Sequence, residues 1–165
     1  SLGARGLNDV VPKAWALMAE SERPNVVHQA GEKNLAQLQA LYAAAGVHAN
    51  CVAFIADMAG AYLWADLVIC RAGALTVAEL AAAGVASVLV PYPSAVDDHQ
   101  TGNAQFLAQA GAAVLLPQSE LTAERLTTIC HAPRSQWAQM AEKAHALARP
   151  QATSDVAQHC ADLAQ

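Results

Sequence analysis

Five short apolar runs, Asn25–His28, Cys51–Phe54, Leu67–Cys70, Ser87–Val90 and Ala113–Leu116, are separated by longer stretches with helical spacing of apolar residues. Runs this short, with no polar/apolar alternation, are what strands buried on both faces of a parallel sheet look like. Parallel strands need long crossovers, and the stretches between these runs can supply them as helices. The spacing predicts helices over Asn8–Ala19, Lys33–Ala45, Met58–Ala65, Thr76–Ala83, His99–Ala110, Leu121–His131, Arg134–Ala148 and Ser154–Ala164. Gly46, Gly84 and Gly111 stand at the ends of three of them, where a left-handed residue closes a helix. Pro12 fits the first helix only in its opening turn or at a kink. The repeated strand–helix order predicts one doubly wound α/β domain.

Composition narrows the class further. At 165 residues with 55% hydrophobic content, the chain can bury a substantial core and is not disordered. Its formal net charge of −5, with no basic stripe, excludes a nucleic-acid partner. No apolar run approaches the roughly 20 residues of a membrane span, and no signal peptide opens the chain. Cys51, Cys70, Cys130 and Cys160 lie far apart and form no CxxC pair, which argues against a zinc site and for reduced thiols in a cytoplasmic protein. Arg149-Pro150-Gln151 reads as a hinge before the last helix.

Three segments carry the candidate chemistry. In Cys70-Arg71-Ala72-Gly73-Ala74-Leu75-Thr76-Val77-Ala78-Glu79, a small-residue loop lies between a strand and a helix, with a carboxylate in the helix's first turn. Two readings are open. Thr76 and Glu79 can form a capping box, the commoner use of such a pattern. Alternatively, the loop amides hold a diphosphate and Glu79 accepts ribose hydroxyls. The opening Ser1-Leu2-Gly3-Ala4-Arg5-Gly6 is a second glycine-rich turn leading into a helix. No strand precedes it, which suggests a chain that begins inside a loop of a longer protein.

The third segment, Pro91 to Asn103, offers Asp97, Asp98, His99, Gln100 and Asn103 after a strand end. Such donors and acceptors suit a sugar, or else a solvated loop in which Asp97 or Asp98 caps the next helix. A metal on Asp97, Asp98 and His99 is disfavoured, because adjacent side chains rarely converge on one ion. Asp57 is a good N-cap for the helix from Met58, and Ile55 and Met58 could flank a flat base or simply pack in the core. No nucleophilic triad order, phosphate-loop lysine or HExxH motif is present.

Taken together, Ser1–Arg5, Phe54–Met58, Ala61–Asp66, Cys70–Glu79 and Asp97–Ala104 resemble, in order and spacing, the MurG family. These transferases move N-acetylglucosamine from UDP-GlcNAc onto lipid I in peptidoglycan synthesis. The resemblance implies a Rossmann-like domain, the C-terminal, donor-binding half of a GT-B enzyme. By that resemblance Ser1 contacts the donor diphosphate. The Ile55 backbone recognises uracil, with Met58 nearby. Ala74, Leu75 and Thr76 lie over the phosphates and sugar, and Glu79 holds the ribose. Gln100 reaches the GlcNAc hydroxyls, with His99 standing where the family has a first glutamine. Arg71, Gly73, Val77 and Ala78 complete the substrate-binding segment, Arg71 as a helper for leaving-group charge.

The resemblance also implies no metal, no cofactor and no catalytic base within this chain. The base, the lipid I acceptor site and the contact with the inner membrane's cytoplasmic face would belong to an N-terminal half, and the last helix would pack towards it. Two other classes remain open at this level: another GT-B UDP-sugar enzyme, such as a transferase or a UDP-GlcNAc epimerase, and a non-catalytic Rossmann nucleotide-binding module.

Overall fold

A computed structural model describes residues 5–93 and 98–163. Ser1 and Asp97 therefore lie outside the described residues. The order is α1 (Arg5–Ala16), β1 (Val27–Gln29), α2 (Glu32–Ala44), β2 (Asn50–Val52), α3 (Met58–Trp64), β3 (Leu67–Cys70), α4 (Ala74–Ala83), β4 (Ala86–Leu89), α5 (His99–Ala108), β5 (Ala113–Leu115), α6 (Ala123–Cys130), α7 (Arg134–Ala146) and α8 (Ala152–Leu163). Short 3₁₀ turns lie at Glu20–Glu22 and Gln118–Glu120.

All strand pairs are parallel, but they form two ladders instead of the single sheet expected. In one, β1 pairs with β2, Val27 opposite Asn50. In the other, β4 lies between β3 and β5, with Leu67 opposite Ala86 and Ser87 opposite Ala113. Among the described residues no ladder joins β1 to β3. Burial follows this division. β4, hydrogen-bonded on both sides, is buried throughout, whereas β3 is only half-buried and Val27 and Gln29 of β1 are exposed. Phe54, expected inside a buried strand, lies beyond β2 and is 74% exposed.

Helices cover both faces of the strands. Val88 of β4 packs with Leu7 of α1, together with Val90, Leu116 and Leu121. Its neighbour Leu89 packs on the other side with Val77 and Leu80 of α4, Leu107 of α5 and Ala144 of α7. Successive strand residues thus feed opposite cores, which is what double winding demands. A further cluster joins Val11, Ala14 and Trp15 of α1 to Leu38 and Tyr42 of α2 and Leu126 of α6. Residues 7, 11, 14, 15 and 18 supply the buried stripe of α1 and its exit at helical spacing. Pro12 sits well inside α1 and is fully buried, so it is not confined to the opening turn. Gly84 closes α4 at φ +63°, and a Cβ there would stand 3.0 Å from His145 Cβ, so both backbone and packing require glycine. No residue of α8 is buried against the rest of the described chain.

The histidines carry one surprise. His28 on β1 joins α1 to α2 through a polar relay, with Nε2 3.0 Å from Asn8 Oδ1 and Nδ1 3.0 Å from the Tyr42 hydroxyl. Because Asn8 Oδ1 accepts, Nε2 carries the proton and Nδ1 accepts from Tyr42. Burial lowers the His28 pKa from 6.5 to about 4, keeping the ring neutral. The unfolded chain therefore binds more protons between those values, so stability is full above pH 6.5 and is lost as pH falls towards 4. The expected contribution has a slope of at most about 1.4 kcal/mol per pH unit. Denaturant melts of the wild type and a His28→Gln variant at pH 7.5, 5.5 and 4.5 check this. The gap between the two should narrow as pH falls.

Candidate functional site

Parallel pairing brings the exits of β3, β4 and β5 to one edge, where ligands of open α/β sheets bind. Arg71 leaves β3 and is the brace of that edge. Its Nη1 donates to the carbonyls of Val90 and Pro91, each at 3.1 Å, just past β4. Its Nη2 donates to Gln118 Oε1 at 2.6 Å, past β5. The guanidinium also stands over the Tyr92 ring, 5.5 Å from its centroid. A Cβ on Gly6 would lie 3.2 Å from Gln118 Oε1 and 3.6 Å from Arg71 Nη2, so the start of α1 is seated on the same pair. Gly6, the last residue of the first small-residue segment, thus neighbours Arg71 of the second. Arg71 serves the protein's own carbonyls, which sequence reasoning did not anticipate.

The capping-box reading of Thr76 and Glu79 does not hold. The helix starts at Ala74, its N-cap is Gly73, and no side chain caps it. Thr76 is inside the first turn, because the helix must begin early enough to turn Val77 and Leu80 into the core. The first-turn amides of α4, those of Ala74, Leu75 and Thr76, lie beyond the reach of intrahelical bonding. Ala74 and Leu75 are exposed, Leu75 at 80%. Ala78 and Glu79 are exposed as well, whereas the Val77 side chain is buried and its N–H donates to the Gly73 carbonyl. Gly73 has φ −62°, open to any residue, and a Cβ there would meet nothing closer than 3.6 Å. The fold does not require glycine at this position; close approach of a ligand to the backbone would.

Glu79 lies past the first turn of α4, because the helix begins at Ala74, and it has a different partner from the one expected. The Tyr62 hydroxyl, from α3, donates to Glu79 Oε2 at 2.9 Å. Burial, with Glu79 second, raises the Tyr62 pKa, so the phenol remains a donor. Cys70, at the base of the loop, is pushed up to about 12 by burial and then by Glu79, which removes it as a nucleophile.

The remaining candidates lie after β2 and after β4. Asp57 caps α3, its Oδ1 accepting from Gly60 N–H at 2.8 Å, and Met58 is the half-buried residue that follows. The Ile55 N–H donates to Gln29 Oε1 at 3.1 Å, which makes Gln29 a neighbour of the proposed base site that the sequence did not reveal. Gln100 Oε1 accepts from the Tyr92 N–H at 3.0 Å, and His99 is exposed beside it. Asp98, in left-handed backbone at φ 52°, precedes α5 without capping it; its Oδ1 accepts from the Thr101 hydroxyl. Asn103 Nδ2 donates to the Ala72 carbonyl at 3.1 Å, fastening α5 to the loop before α4. Among the described residues, no three His, Cys, Asp or Glu side chains converge to hold a metal.

These features define an open α/β domain that gathers the start of α4 and the turns after β3, β4 and β5 at the carboxyl edge of its strands, where such sheets bind ligands. The chain belongs to the glycosyltransferase family 28 C-terminal domain, whose family profile matches residues 1–160. It is 64% identical, over its whole length, to the UDP-N-acetylglucosamine–N-acetylmuramyl-(pentapeptide) pyrophosphoryl-undecaprenol N-acetylglucosamine transferase of Dechloromonas aromatica. The enzyme of the same name from Azoarcus sp. is also 64% identical over the whole chain. In each case the chain covers 47% of the relative, so it spans about half the length of these proteins. Acinetobacter baumannii MurG matches in structure with a TM-score of 0.84 at 48% identity, over 98% of this chain and 46% of that one. The glycosyltransferase VinC, solved with dTDP, matches at a TM-score of 0.64 and 18% identity, over 98% of this chain and 40% of that one, and shares the fold.

Two substitutions separate architecture from ligand contact. Arg71→Ala strands the Val90 and Pro91 carbonyls and should lower unfolding free energy by about 1–3 kcal/mol. Gly73→Ala should change it by less than about 1 kcal/mol, the range of an N-cap exchange. Chemical denaturation of both variants measures the difference.

Proposed function

We propose that this chain is the donor-binding half of an inverting transferase that moves GlcNAc from UDP-GlcNAc to lipid I. The observation that carries the reading is the start of α4, with no side-chain cap and with Glu79 exposed in the turn that follows, in a chain this similar to enzymes named for that transfer. In this reading the α4 amides and Ser1 take the diphosphate. Glu79 takes the ribose hydroxyls, and the Ile55 backbone takes uracil, with Met58 against the ring. His99 and Gln100 face the sugar, Gln100 after releasing Tyr92.

The chemistry follows from these placements. The acceptor hydroxyl of lipid I attacks the anomeric carbon, the bond to the diphosphate oxygen breaks, and negative charge grows on departing UDP. Aligned amides at a helix N-terminus stabilise that charge without reorganising. Arg71 contributes by holding the edge rigid. The base that takes the acceptor's proton, the lipid I site and the contact with the inner membrane's cytoplasmic face are assigned to an N-terminal half. Among the described residues, no helix is long and apolar enough to cross a membrane.

The parallel ladders β1–β2 and β3–β4–β5, with helices between successive strands, support the Rossmann-like reading, since doubly wound nucleotide folds are built from such units.

Titration with UDP, ADP and GDP, followed by NMR, tests the ligand assignment. UDP should shift Ile55, Ala74–Thr76 and Glu79 amides more strongly than either purine nucleotide. Equal responses to all three would remove the uracil assignment. Glu79→Ala should weaken UDP binding by roughly 10-fold or more, as loss of a charged hydrogen-bond acceptor does, while stability changes little. Competition among UDP-GlcNAc, UDP-glucose and UDP-GalNAc distinguishes the sugar.

A further inference from the structure

We propose that Tyr62 is a positioning residue for the nucleotide's ribose: its hydroxyl holds one oxygen of Glu79 so that the other faces the sugar hydroxyls. This inference rests on the donor-site reading above and adds to it a residue from a different helix.

Glu79 is exposed on α4, and a glutamate there has several rotatable bonds and much rotamer freedom to lose when it engages a ligand. Tyr62 restricts that freedom. Its ring is half-buried and packs against the cluster containing Val77 and Leu80, so the hydroxyl position is set by the core. From there it donates to Glu79 Oε2 at 2.9 Å, across 17 residues of sequence. A carboxylate offers about four acceptor sites on two oxygens, and this bond uses one of them. Oε1 retains its acceptor capacity for a vicinal diol. With α4 starting at Ala74 and Gly73 at its cap, the carboxylate is not needed at the helix start.

Folding alone gives little reason for the hydroxyl. An exposed hydrogen bond of this kind contributes little to stability, and phenylalanine would fill the same space against the core. The hydroxyl's effect falls on the orientation of the carboxylate. A pre-oriented acceptor loses less entropy when the ligand arrives, which strengthens binding without any new contact.

Calorimetric titration of the full chain with UDP and with 2′,3′-dideoxy-UDP tests this. The wild type should prefer UDP, because only UDP presents the diol. Tyr62→Phe should weaken UDP binding about three- to tenfold, the size of one lost hydrogen bond, and leave dideoxy-UDP unchanged. In a Glu79→Ala background, where the Tyr62 hydroxyl has no carboxylate to orient, the Tyr62→Phe change should have no further effect on UDP. Melting curves establish that the variants are folded. Equal weakening of both ligands would make Tyr62 merely structural and overturn the proposal, as would an unchanged preference for UDP. In both cases UDP binding by the wild type leaves the donor-site reading standing. A wild type that binds both ligands alike would remove the ribose role of Glu79 and this proposal with it. A wild type that binds neither would remove the donor-site reading itself.

Discussion

The parallel register of β3, β4 and β5 is the constraint from which the candidate site follows. With Cys70 opposite Leu89 and Leu89 opposite Leu115, the three strands end together. Their exits are then close enough for one guanidinium to span them. Arg71 comes directly after β3, its acceptors Val90 and Pro91 directly after β4, and Gln118 shortly after β5. Backbone carbonyls leaving a sheet need partners, and water would supply them at a cost in order. Arg71 supplies them instead and fixes the directions in which three loops depart. The start of α1, seated at Gly6 against the same pair, is set by that arrangement too.

The frequency with which local pattern succeeds here has a physical basis. β3 is found at Leu67–Cys70 as expected, and α3, α5 and α7 begin at the expected residues Met58, His99 and Arg134. These elements are fixed by apolar period and by sharp punctuation, both of which are local. α4 begins at Ala74 and not at the expected Thr76. Thr76 and Glu79 have the spacing of a capping box, but the helix begins where β3 releases the chain and where Val77 must enter the core. Packing overrode the cap. The parallel α/β class was legible, but strand runs do not state which edges pair, and among the described residues the strands form two ladders.

The least legible features are the long-range side-chain bonds. Arg71 and Gln118 are 47 residues apart, His28 and Asn8 20, and Tyr62 and Glu79 17. No window of sequence contains either partner's reason for being there. Arg71, Gly73 and Glu79 could be singled out from a strand–loop–helix pattern, yet Tyr62 looks like any aromatic on a short helix. Gln29 looks like the polar end of a strand, although it accepts the Ile55 N–H. Position in the chain identified the groups that could meet a ligand; the fold was needed to identify the groups that orient them.

Those orienting bonds bear on how a ligand could be held at all. Ile55 N–H is committed to Gln29, Gln100 Oε1 to Tyr92 N–H, and Glu79 Oε2 to Tyr62. A ligand that took the first two groups would exchange one hydrogen bond for another, and such exchanges yield little net free energy. They serve discrimination, because a ligand that displaced Gln29 without replacing its bond would leave a donor unsatisfied. Net affinity must come from groups with no protein partner to give up. The first-turn amides of α4 have no side-chain cap among the described residues, and their dipoles favour negative charge. In the proposed donor site the division of labour is therefore between a phosphate grip that supplies binding strength and a ring of exchangeable partners that selects base, ribose and sugar. Tyr62 differs from Gln29 in this scheme, since it keeps its bond when ribose arrives and so orients the carboxylate without competing for it.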